Sequence, residues 1–138
     1  MSLNLRPLSP DEIGARDAIL DLAAQLAGAS RPLTIDDVQS LYDACLDVDD
    51  PPSEALLAIG LSFAEQIVSA ANFEWVRVSD EYGDETCVAA PGKEIFCSPI
   101  SMIRKRLQER ERLNLAELRD DTVATIIERI KEGKAADR

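Results

Sequence analysis

The sequence predicts an α+β domain with a helical N-terminal half, a three-stranded antiparallel meander packed on a central apolar helix, and C-terminal helices. Three observations carry that expectation. Residues 53–71 are apolar around most of a helical circumference, leaving only Glu54, Ser62, Glu65 and Gln66 as a polar edge, which marks a helix buried on most sides. From Phe73 the apolar period drops to two and the residues turn β-branched and aromatic, the signature of strands. At 138 residues and 46% hydrophobic, the chain has the material for one core.

Residues 1–8 carry no periodic pattern and are expected to be a flexible lead to a single domain over 9–134, with 135–138 as a frayed tail. Ser9-Pro10-Asp11-Glu12 is a helix start, with serine as N-cap, proline in the first turn and glutamate at the capping-box position. Ile13, Ile19, Leu20, Leu22, Ala23 and Leu26 then give an amphipathic helix ending near Gly28. Thr34-Ile35-Asp36-Asp37 starts a second helix, whose stripe is Ile35, Val38, Leu41, Tyr42, Cys45 and Leu46 and whose outer face carries Asp36, Asp37, Asp43 and Asp47. Asp49-Asp50-Pro51-Pro52 is a stiff turn into the central helix. Within that helix Gly60 lowers helix stability by roughly 1 kcal/mol against alanine, which points to close packing on a neighbouring backbone.

The strands are read as Phe73–Ser79, Thr86–Ala90 and Glu94–Cys97, separated by the acidic run Asp80-Glu81-Tyr82-Gly83-Asp84 and by Pro91-Gly92. Alternation places Val76 and Val78 on one face and Trp75 and Arg77 on the other. Three short strands cannot bury both faces alone, so one face must pack on helices. Ser98-Pro99 fits an N-cap followed by a first-turn proline, opening a helix with Ile100, Ile103 and Leu107 inward and a basic exterior. Asn114–Glu117 is a capping pattern for a short turn. Asp120 or Asp121 would cap a final helix bearing Val123, Ile126, Ile127 and Ile130.

The net charge is −11, placed unevenly: residues 1–90 hold 4 Lys or Arg against 17 Asp or Glu, and residues 91–138 hold 11 against 9. An acidic chain is a poor binder of nucleic acid, whose affinity rests on phosphate contacts, so nucleic acid is not expected as a partner. A basic protein partner is the better match. The central stretch is interrupted by polar residues and too short for a membrane span, and the first residues lack the apolar run of a signal peptide, so a cytoplasmic protein with no membrane partner is expected.

Three cysteines, Cys45, Cys87 and Cys97, do not make a disulfide framework; Cys87 and Cys97 fall on neighbouring strands and would sit roughly opposite each other if the Pro91-Gly92 turn spans three residues, a register the sequence leaves open. With no histidine there is no Ser–His or Cys–His dyad. No metal or cofactor is expected: a structural zinc site would need Cys and carboxylates alone, the aspartate run lacks calcium-loop spacing, and the glycines are isolated. Catalytic residues are not assigned. The candidate binding residues are Trp75, Asp80, Glu81 and Tyr82 around the hairpin, read as an outer sheet face, and Arg104, Lys105 and Arg106 on the basic helix.

The order Gly60-x-x-Phe63, Trp75, Asp80-Glu81-Tyr82-Gly83, Pro91-Gly92, Pro99-Ile100-Ser101-Met102-Ile103-Arg104-Lys105-Arg106 resembles a bacterial family, domain of unknown function 3806. The resemblance implies a small α+β domain and brings no activity or catalytic residues with it. The expected function is a non-enzymatic interaction module, of inhibitor or immunity type, directed at a basic protein. The alternatives are a small-molecule-binding or carboxylate- or thiol-dependent enzyme, for example through Asp80 and Cys87, and a homodimer formed through the sheet.

Overall fold

A computed structural model describes residues 3–133 of the chain. Its elements are β1 (Asn4–Arg6), α1 (Pro10–Ala27), α2 (Ile35–Leu46), α3 (Ser53–Ala71), β2 (Glu74–Asp80), β3 (Gly83–Ala89), β4 (Phe96–Cys97), α4 (Pro99–Gln108) and α5 (Leu115–Glu132). The fold is α+β, as the period change predicts. The sheet has four strands in the order β1-β2-β3-β4, all antiparallel. The expected three-stranded meander is therefore one strand short. Asn4–Arg6 lies in the stretch read as a lead and pairs with β2, Leu5 opposite Val78. A three-residue strand with one apolar residue has no period to detect; it forms because β2 offers an open edge. The tail at 135–138 lies outside the described residues.

The helix starts follow their local chemistry. Ser9 and Thr34 cap α1 and α2 with reciprocal bonds to Glu12 and Asp37, which satisfies first-turn amides that helical bonding leaves free. Gly28 closes α1 in the left-handed region. Asn114 accepts from the Glu117 amide and starts one continuous helix of 18 residues, so the expected short turn and separate final helix are a single element. Ser98 occupies the N-cap place of α4 but makes no capping bond; its Oγ lies 3.2 Å from the Cys87 Sγ instead.

The helix α3 is the centre of the domain, touching α1, α2, α4, α5 and β3. Ile59, Phe63, Ala64 and Ile67 on α3 share one core with Tyr42, Val88, Ile103 and Leu115. By length and composition α3 is apolar enough to cross a bilayer, which corrects the expectation that it is too short. Its burial against every other helix accounts for that apolarity as a core helix's. Where α3 meets α4, a Cβ on Gly60 would lie 2.9 Å from the Ile100 Cα, so this glycine is where two backbones touch.

Of the polar edge of α3, Gln66 donates to the Leu33 carbonyl at 2.6 Å, and Glu65 lies 3.5 Å from Arg31. Ser62 is 1% exposed and its Oγ has no hydrogen-bond partner. A buried hydroxyl without a partner costs about 1–3 kcal/mol. Ser62→Ala is therefore expected to raise stability by about 1 kcal/mol, read as a higher urea midpoint at unchanged slope.

The two faces of the sheet are both buried at their centre. Trp75 and Val88 face each other across the ladder and join the main core. Val76, Val78, Cys87 and Ala89, on the other face, form a second apolar cluster with Leu3, Leu5 and Phe96. Trp75 is thus no part of an open outer face, because the face it shares with Val88 is the one the helices cover.

Candidate functional site

The β2–β3 hairpin turns through Glu81 and Tyr82, with Asp80 paired to Gly83. The Asp80 carboxylate accepts from the Tyr82 amide at 2.8 Å, and Gly83 takes a φ of +124°, which a side chain would strain. The turn is shorter than the acidic run suggests; Asp84 and Glu85 already belong to β3. Tyr82 stands at the tip, 88% exposed, with Glu81 and Asp80 raising its phenol pKa.

The start of α1 lies against this hairpin. Glu12 receives Arg6 as a fork, at 2.7 and 2.8 Å, and also accepts from the Ser9 amide at 2.8 Å. Those bonds, the Arg6 pair first, draw its carboxyl pKa down to about 2. Arg77 reaches Glu12 at 3.5 Å, Asp84 at 3.2 Å and the Thr86 hydroxyl at 2.8 Å. Arg16 is bonded to Asp17 at 3.0 Å and lies over the Trp75 ring, 5.0 Å from its centroid, so cation–π attraction holds the two together. From the other side Ser101 of α4 donates to Glu85 at 2.8 Å.

Between α1, the hairpin and α4 lies a cleft of about 680 Å³. Ile19, Leu57, Leu61, Phe96 and Ile100 give it an apolar lining. Five carboxylates line it, Asp11, Glu12, Asp80, Asp84 and Glu85, against three guanidiniums, Arg16, Arg77 and Arg104. Two of those guanidiniums are committed to the ion pairs above. The volume is within the usual range of ligand sites.

Of the candidate residues, Asp80, Tyr82 and Arg104 meet at this cleft although they come from different elements. Trp75 sits behind Arg16, packed on the core. Glu81, Lys105 and Arg106 do not line the cleft, and Arg106 donates to the Met102 carbonyl of its own helix at 3.2 Å. Arg110 lies beyond the end of α4, where the backbone turns to φ +54°. Its guanidinium donates to the Leu46 carbonyl at 2.7 Å, at the end of α2. Asp11, Arg16, Arg77 and Ser101 are not candidates in the sequence: Asp11 reads as part of a helix start, and nothing local brings α1 to a hairpin so far along the chain.

The thiols offer little chemistry. Cys97 pairs with Val88 and not with Cys87, so the register left open in the sequence resolves with the two thiols on opposite faces of the ladder, and the conditional pairing does not form. Burial pushes both pKa values up to about 12 and raises that of Cys45. Only a thiolate attacks, so a disulfide reagent at neutral pH is expected to label Cys87 and Cys97 at the rate of protein opening. Labelling as fast as that of a free thiol would restore the thiol-enzyme reading. Among the described residues no cluster of three or more Cys, Asp or Glu is arranged to hold a metal ion.

The profile of a family described as a domain of unknown function, DUF3806, matches residues 36–118. No curated protein matches the chain. A crystal structure from Bacteroides thetaiotaomicron VPI-5482 superposes with a TM-score of 0.71 at 14% identity, over 89% of this chain and 48% of that one. At that identity the likeness shows the fold alone, and this chain spans about half the length of its neighbour.

Proposed function

This chain belongs to the DUF3806 family of unknown function, and from its cleft we infer a non-enzymatic binding module that docks a cationic segment of a partner protein. The observation that carries this reading is the joining of an apolar floor to a carboxylate-rich rim. Leu57, Leu61 and Ile100 offer burial, while Asp11, Asp80 and Glu85 retain acceptor capacity at the edge. Arg16 and Arg77 are already neutralised locally by Asp17, Glu12 and Asp84. The field over the cleft is therefore negative, and a segment alternating Lys or Arg with an apolar side chain complements it. The exposed Tyr82 is the kind of aromatic that anchors interfaces. The high pKa values of the thiols and the absence of histidine from the sequence favour binding over nucleophilic catalysis. The unpaired cysteines support a reducing, cytoplasmic setting.

Two charge-reversal variants separate the acidic surfaces. One carries Asp11→Lys and Glu85→Lys at the cleft. The other carries Asp36→Lys, Asp43→Lys and Asp47→Lys on the outer face of α2. With the tagged protein in its native lysate, a partner held at low salt is expected to bind the cleft variant about tenfold more weakly and the α2 variant unchanged. A partner lost only in the α2 variant, or indifferent to both variants and to salt, would overturn the reading.

A further inference from the structure

We propose that the cleft takes the carboxyl-terminal end of its partner chain, with Arg104 holding the terminal carboxylate. This rests on the reading of the cleft as a dock for a cationic segment and specifies which part of the partner enters it. Among the described residues Arg104 makes no hydrogen bond or ion pair, although it lines a cleft with five carboxylates. The other two guanidiniums there are bonded, and Ser101, one turn back on α4, is spent on Glu85. Asp11 is the matching unpaired carboxylate, contributed by α1. The cleft is thus bipolar, with one open cation set among open acceptors, and a purely cationic occupant would leave Arg104 unanswered.

An apolar side chain and an open cation side by side on one helix favour the end of a chain as the occupant. Ile100 and Arg104 are one helical turn apart, so they share one face of α4 and both line the cleft. In a C-terminal apolar residue the side chain and the α-carboxylate leave the same carbon, so one residue presents both groups with few rotors to immobilise. An internal Asp or Glu would reach Arg104 only by ordering a further side chain, which weakens binding. Upstream Lys or Arg residues then face Asp11 and Asp80. Arg–carboxylate pairing is charge-assisted and can be bidentate, so it discriminates a free acid from an amide.

The test measures fluorescence anisotropy of labelled peptides at low salt. One peptide is built of Ser, Lys and Arg and ends in a free-acid leucine. The second is its C-terminal amide. The third is the amide with an internal glutamate. The free acid is expected to bind the native protein about tenfold more tightly than the amide. That advantage should vanish in Arg104→Gln and persist in Lys105→Gln, which removes the neighbouring charge off the cleft. Equal binding of acid and amide, or an internal-glutamate amide as tight as the free acid, would overturn the role of Arg104 while leaving the cationic dock standing. Binding of none of the three would overturn both.

Discussion

Tyr42→Ala is expected to destabilise the domain by about 3–5 kcal/mol, a large share of the 5–15 kcal/mol that holds a typical domain folded. Tyr42 is 0% exposed, and its hydroxyl donates to the Glu111 carbonyl in the segment that links α4 to α5. Removing the ring opens a cavity in the core that Tyr42 shares with Val38, Phe63 and Ile103, and it orphans that carbonyl. The same linker is held to α2 at other points: Gln39 donates to the Leu113 carbonyl and accepts from the Leu115 amide, at 3.1 and 2.7 Å. Tyr42→Phe separates the two contributions, since it keeps the ring and loses the bond. It should cost about 1 kcal/mol, measured by urea unfolding. A loss as large as that of the alanine variant would place the energy in the hydroxyl and contradict the packing account.

Gly60→Ala is expected to lower stability by about 1–3 kcal/mol, even though alanine gains roughly 1 kcal/mol of helix propensity over glycine. The added Cβ would sit 2.9 Å from the Ile100 Cα, which is backbone and cannot rotate aside, so α4 must move away from α3. Because Ile100, Ser101 and Arg104 carry one wall of the cleft, the displacement should also weaken peptide binding. Urea unfolding and the anisotropy titration read the two effects. A more stable Gly60→Ala protein with native binding would show that the α3–α4 contact gives way freely.

Much of the fold is legible in the sequence because its signals are local. The Ser9 and Thr34 capping boxes, the Gly28 stop, the apolar circumference of α3 and the loss of helical period at Phe73 each act within a few residues. The close approach at Gly60 is legible for the same reason, since a glycine in a buried helix needs a cause. Strand β1 was not legible, because Asn4–Arg6 is defined by the open edge of β2 and not by its own residues. The misplacement of Trp75 came from choosing between two sheet faces that both carry apolar residues. Only tertiary packing decides which of them the helices cover.

The candidate site is less legible than the fold. Asp80, Tyr82 and Arg104 stand out by composition, yet their neighbours Asp11, Arg16 and Arg77 reach the cleft through the packing of α1 against the hairpin. Helix geometry alone says that Arg104, Lys105 and Arg106 cannot form one tight patch, but not which of them faces a site; the cleft takes Arg104. Successive helical residues point about 100° apart, and only Arg104 shares the face of Ile100.

The most direct measurement is an amide chemical-shift titration of the native protein with the Lys- and Arg-containing free-acid peptide, at low and high salt. The account predicts shifts at Ala15, Tyr82, Gly83, Ser101 and Arg104 that shrink as salt is raised. Shifts confined to the outer face of α2 at Asp36, Asp43 and Asp47, or none at all at low salt, would contradict it.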